Sequence, residues 1–141
     1  NLKMKNTGIF LLVVLVCSLT SGCAHRSQMP IIRAEDGSVA YLMAKVVRIS
    51  EEYANINTNL SGVELSKYGI TDQKTFTVKY GGRTIRAFLG KDYSDVPKGN
   101  WVALIEEDGN LQLAISFGHA ATDIGCIVGD ALYIEPLSSE E

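Results

Sequence analysis

The sequence predicts an all-β chain: about seven short strands forming a small antiparallel barrel or sandwich, with one or two helical turns. Three observations carry this. Short runs that alternate apolar and polar residues recur along the chain, with turn signals between them. Two of those turns have hairpin chemistry, Gly81-Gly82 and the polar stretch Glu106-Glu107-Asp108-Gly109-Asn110. No segment sustains helical periodicity. At 141 residues and 46% hydrophobic content, the chain holds the material for one domain with its own core.

The N-terminal 22 residues read as a targeting leader: Lys3 and Lys5, the apolar run Ile9 to Cys17, then Thr20-Ser21-Gly22-Cys23. The apolar run is too short to span a bilayer. Small residues before Cys23 match the lipobox of bacterial lipoproteins, in which that cysteine is acylated and becomes the new N-terminus. Ala24 follows, and the absence of aspartate there implies sorting to the outer membrane, facing the periplasm. Residues 23–38 are polar and carry Pro30 and Gly37, so they read as a tether. The barrel is expected over residues 39–137, with a tail at 138–141.

Within the barrel segment, Val39 to Ile49 is a long β-branched and apolar run. Ala54 to Leu60 is a polar strand with Asn55, Asn57 and Asn59 on one face. Val63 to Ile70 predicts a short helical turn closed by Gly69, with Val63 and Leu65 or Tyr68 facing inward. Phe76, Val78 and Tyr80 alternate before the two glycines, and Thr84 to Leu89 returns. Lys91 to Asn100 is a loop ending in Pro97-Lys98-Gly99. The hairpin Trp101 to Ile115 places Leu111, Leu113 and Ile115 on one face. Ala120 to Ile124 suggests a second helical turn, and Ala131 to Glu135 a last strand ended by Pro136.

Composition excludes several functions. The formal charge is −3, and loss of Lys3 and Lys5 with the leader takes it to −5. Without a Lys/Arg cluster the chain lacks the electrostatic footprint for nucleic acid. Of the three cysteines, Cys17 leaves with the leader and Cys23 takes lipid, so Cys126 is alone and reads as a small buried hydrophobe. His25 and His119 have no partner at ligand spacing, and no metal or other cofactor is expected. Glu51-Glu52 and Glu106-Glu107-Asp108 sit beside turns, where a solvated acidic face is the plain explanation. No serine lies in a nucleophile elbow, and no phosphate loop or dinucleotide fingerprint occurs. The asparagine row is the informative polar feature. Asparagine is depleted from strands, and its amide reads either a ligand's edge or only solvent and neighbouring turns.

Tyr53-Ala54-Asn55-Ile56-Asn57-Thr58-Asn59-Leu60 resembles the aromatic-Gly-Asn-x-x-Thr-Asn-Ile segment in the C-terminal domain of the S-adenosyl-L-methionine hydroxide adenosyltransferase, chlorinase and fluorinase family. Tyr93-Ser94-Asp95-Val96-Pro97-Lys98-Gly99 is similar to its aromatic-x-Asp-x-Pro-x-Gly loop. Ala103 to Ala121 resembles its Ala-Leu-Ile-x-x-x-Gly-x-Leu-x-Ile-Ala hairpin with Gly-x-Ala-Ala, and Gly129-Asp130 its closing Gly-Asp. The likeness runs from Ala44 to about Pro136. It implies a small β-barrel, with S-adenosylmethionine lying between this domain and the N-terminal domain of a neighbouring subunit in a trimer. By the same resemblance Asn55 faces the adenine edge, Tyr93 packs near the base and the Ala120 backbone borders it, with Tyr53 a further ligand-binding candidate. Glu107 falls near the methionine end of the ligand, where a carboxylate attracts an ammonium group and repels a carboxylate. Ala54 stands where the family has glycine.

The family's nucleophile-activating residues belong to its N-terminal domain, whereas the segment before Val39 reads as leader and tether. The expectation is therefore a lipid-anchored, non-catalytic binding module of the bacterial envelope, acting on an adenosyl-type small molecule or an envelope protein. S-adenosylmethionine is normally cytoplasmic, so export weighs against that ligand. Two alternatives remain: an accessory half-enzyme completed by a separate catalytic subunit, and a structural barrel that self-associates.

Overall fold

Strand β2 (Val39–Ile49) is the longest element and the one around which the sheet closes. The structure, a computed structural model, describes residues 30–137. The leader, the lipidation at Cys23 and His25 lie outside these residues. Ahead of β2, β1 (Ile31–Arg33) pairs with it antiparallel, Ile31 opposite Leu42 and Ile32 opposite Tyr41. The segment expected to be a tether thus contains a strand. The reason is local: Ile31 packs against the core, and the turn closes with Ala34 N donating to Ser38 O at 2.8 Å.

After β2 come β3 (Ile56–Ser61), helix α1 (Gly62–Lys67), and the hairpin β4 (Thr75–Tyr80) and β5 (Arg83–Leu89). A 3₁₀ turn at Tyr93–Asp95 follows, then the hairpin β6 (Trp101–Ile105) and β7 (Asn110–Ile115), helix α2 (Ala120–Ile124) and β8 (Ala131–Ile134). The Ser61 hydroxyl accepts from Glu64 N at 3.1 Å and starts α1. Leu65 turns inward as expected, but Val63 is 68% exposed, because only one side of so short a helix meets the barrel. Gly81 and Gly82 have φ of 53° and 81°, and Tyr80 pairs with Arg83. That is the primed two-residue turn that paired glycines predict.

The strands close in the order β2, β3, β7, β6, β5, β4, β8 and back to β2, a seven-stranded barrel with β1 added at its rim. Every joint is antiparallel except β5–β6, where Ala87 lies opposite Trp101 in a parallel pair. Inward positions follow the strand period of two: Leu42, Ala44 and Val46 on β2, Phe76 and Val78 on β4, Leu111 and Leu113 on β7, Leu132 and Ile134 on β8. Each fully buried Leu, Ile or Phe contributes roughly 1.5–3 kcal/mol of hydrophobic stabilisation. Cys126 joins this core as a free thiol, and burial, with Asp130 nearby, pushes its pKa up. A small second cluster, Val102, Leu104 and Ala114, sits on the outer face of β6 and β7, covered by Val96 of the loop that leads into β6. Among the described residues no helix is long and apolar enough to cross a membrane.

Candidate functional site

Three segments distant in sequence meet at the end of the barrel where β3 begins. The β2–β3 turn delivers Tyr53 and Asn55, the connection before β6 delivers Tyr93, and the chain after β7 delivers Phe117 and Gly118. With Ile115 these residues line a cavity of about 280 Å³. Each segment is fixed by the backbone. Ser50 N donates to Asn55 O at 3.0 Å, and Ala121 N donates to Ala54 O at 2.9 Å, docking the turn on α2. Tyr93 sits on a 3₁₀ turn held by a capping box at its start: Asp92 Oδ1 accepts from Ser94 N at 2.9 Å, and Asp95 Oδ2 reaches back to accept from Lys91 N at 2.8 Å.

Asn55 and Asn57 are buried, and their amides enter a directed network centred on Gln112 of β7, which is 3% exposed. Gln112 Nε2 donates to Glu106 Oε1 and to Asn57 Oδ1, both at 3.1 Å. Gln112 Oε1 then accepts from Tyr93 Oη at 2.9 Å and from Asn55 Nδ2 at 3.4 Å. Asn55 Nδ2 also donates to Tyr93 Oη at 3.1 Å. An ionised carboxylate only accepts, so Glu106 sets the direction of the chain: it claims the Gln112 amide nitrogen, which turns the Gln112 oxygen towards Tyr93 and Asn55. Asn55 answers with its nitrogen. Its Oδ1 takes no hydrogen bond among the described residues and is the atom left for a ligand. Desolvation, with the Glu106 charge adding to it, raises the Tyr93 pKa, so the phenol stays protonated and keeps donating.

Of the residues singled out from sequence, Tyr53, Asn55 and Tyr93 come together here. Ala120 is fully buried behind the cavity and does not line it; Phe117 and Gly118 hold that border instead. Glu107 projects into solvent from the β6–β7 turn and does not line it either, and its neighbour Glu106 is the carboxylate that enters the network. Asn59 leaves the group: its Oδ1 accepts from Lys45 N at 3.0 Å across the sheet, so the row is split between a site and a structural bond. Sequence reasoning missed Gln112, Glu106 and Phe117. The outward position of Gln112 opposite Asn57 in the β3–β7 register is the signal that finds it. His119 is exposed at the start of α2, and no group of three or more His, Cys, Asp or Glu among the described residues is placed to hold a metal ion.

A larger open hollow of about 520 Å³ lies against Tyr41, Tyr80 and Tyr133. Its two cations are already engaged, Lys79 with Glu135 at 3.6 Å and Arg83 with Asp123 at 3.1 Å. The smaller cavity sets Asn55 Oδ1, which takes no hydrogen bond among the described residues, beside aromatic rings, the usual composition of a small-molecule site.

A sequence model for one protein family, described as the SAM hydroxide adenosyltransferase C-terminal domain, matches residues 44–133. Among solved structures, the fold is similar to an uncharacterized conserved protein from Thermotoga maritima, with a TM-score of 0.66 at 20% identity over 77% of this chain and 39% of that one. A conserved hypothetical protein from Thermus thermophilus is also similar, with a TM-score of 0.48 at 20% identity over 81% of this chain and 40% of that one. The chain thus spans well under half the length of these solved relatives. No curated protein matches it.

Proposed function

This chain belongs to the SAM hydroxide adenosyltransferase C-terminal domain family, and from that premise we propose that it is a non-catalytic module binding an adenosyl-type ligand in the cavity beside Asn55. The observation that supports this is the direction of the amide network. Because Gln112 and Tyr93 occupy the Asn55 nitrogen, Asn55 offers an acceptor, and an amine on a flat ring, such as the exocyclic amine of adenine, is its complement. The aromatic side chains of Tyr53 and Tyr93 supply the apolar contact that such a ring needs. The test is calorimetric titration of the full chain in detergent with adenosine and with S-adenosylmethionine. Saturable binding is expected, with Asn55→Ala weakening it about tenfold, or roughly 1.4 kcal/mol. Absence of heat at millimolar adenosine removes the reading.

A second reading is favoured by one observation. Tyr53, Tyr93 and Phe117 are 55%, 40% and 82% exposed, so the rim of the cavity is open on one side. A separately encoded catalytic subunit seated there would make this chain the accessory half of an S-adenosylmethionine-cleaving enzyme. Binding that appears only when such a subunit is added selects this second reading.

We further propose that Cys23 carries the lipid that holds the module to the outer membrane, facing the periplasm; the support is the run Thr20-Ser21-Gly22-Cys23 behind an apolar leader. Cells expressing the full chain with labelled palmitate are expected to label it, and Cys23→Ser to abolish both the label and membrane retention. A labelled Cys23→Ser chain counts against the anchor.

A further inference from the structure

Phe117 is the residue of the cavity whose backbone does not suit its side chain. Its φ is 58°, in the left-handed region that a bulky side chain enters at a cost. Burial does not offset that cost, because Phe117 is 82% exposed. Nor can the turn relax by shifting. Gly118 N donates to Ile115 O at 2.9 Å, and a Cβ on Gly118 would lie 2.5 Å from Ile115 Cγ2, so the glycine is needed where it stands and the strain falls one place earlier. Glycine at 117 would satisfy this backbone without strain.

The ring is nonetheless held in place. Lys98 Nζ stands 4.6 Å from its centroid, in range of a cation–π contact that keeps an otherwise free aromatic near the cavity it lines. The side chains of the six lining residues are uncharged, and three of them are aromatic. A cavity with that lining holds a flat, uncharged ring by stacking and edge contact.

We propose that Phe117 is a ligand-binding residue, kept in a strained turn to form the third aromatic wall of the cavity and to select planar ring systems. This rests on the reading of the cavity as a ligand site. It adds a residue on which that reading does not depend. It also makes binding and stability pull in opposite directions at one position.

The test uses the full chain in detergent, adenosine as the probe, and three variants: Phe117→Gly, Phe117→Leu and Phe117→Trp. Phe117→Gly is expected to raise the thermal midpoint and weaken adenosine binding at least tenfold. Phe117→Leu, apolar but not planar, is expected to lose as much affinity, and Phe117→Trp to stay within threefold of the parent. If the parent and Phe117→Gly bind within twofold of each other while Asn55→Ala binds about tenfold more weakly, the cavity is a ligand site and Phe117 has no part in it. A Phe117→Leu chain that binds like the parent overturns the preference for planar rings, and a lowered midpoint for Phe117→Gly overturns the strain. A parent that does not bind adenosine overturns this proposal together with the reading beneath it.

Discussion

Tyr80 donates its hydroxyl to Asp130, whose Oδ2 also accepts from Ile127 N at 3.0 Å, so one carboxylate ties β4 to the loop before β8. The two partners move each other's pKa in opposite directions. The Tyr80 hydrogen bond, then the Ile127 amide, holds Asp130 below its ordinary 3.8. The same bond, with desolvation next, pushes Tyr80 from 10.0 up to about 12. At the acid end the unfolded chain takes up a proton that folded Asp130 refuses, so this contribution is complete above pH 3.8 and fades below it. At the alkaline end the unfolded chain releases a proton that folded Tyr80 keeps. The contribution is complete below pH 10.0 and fades towards pH 12. Tyr80→Phe is expected to shrink both the alkaline fall and the acid one, measured as thermal midpoint against pH. An unchanged alkaline profile would show that the phenol does not stabilise the fold. Ala54 makes a different point at the same scale: its φ of 53° explains why the family carries glycine there, and this chain accepts the strain of a Cβ.

At the scale of elements, legibility follows how far a cause lies from its effect. The β4–β5 hairpin is fully readable, since its alternation and its two glycines are adjacent in sequence and fix the register. The β6–β7 hairpin is readable in extent but not in burial. Its outer face carries Val102, Leu104 and Ala114, which are buried only because Val96 arrives from the preceding loop. For the same reason Gln112 looks like an ordinary outward polar residue, and it is Asn55, Asn57 and Tyr93, arriving from elsewhere in the chain, that make it the centre of a network. Strand β1 is hidden because two isoleucines in a polar segment give no period to count. Of the candidate site, the resemblance points to Tyr53, Asn55 and Tyr93, which line one cavity because their motifs fix the backbone locally. It points also to Glu107, one residue beyond the carboxylate that joins the network, and to Ala120, one layer behind the cavity wall. A turn's residue-by-residue direction depends on φ angles that a motif does not encode.

The whole molecule is a closed circuit with one irregular joint. Six of its seven seams are antiparallel and two of those are tight hairpins, but β5 and β6 run parallel, which no short turn can connect. The chain therefore crosses the outside of the barrel between Leu89 and Trp101, and that crossing carries both the Val96 cover and Tyr93. This joint also bears on the order of events in folding. The hairpins need only neighbours in sequence and form early, whereas the seams of Ile56 with Leu113 and of Leu42 with Ile134 must close large loops and come late. The sole tryptophan, Trp101, lies in the parallel joint, opposite Ala87. In stopped-flow refolding the capture of adenosine is expected to rise no faster than the Trp101 fluorescence, which reports a joint with a shorter loop to close, and capture that runs ahead of the fluorescence would refute that order. On the proposed reading of the cavity, ligand-competent molecules then exist only after the last seam shuts, and on the way to the native state the chain passes through no species that binds first and finishes folding around its guest.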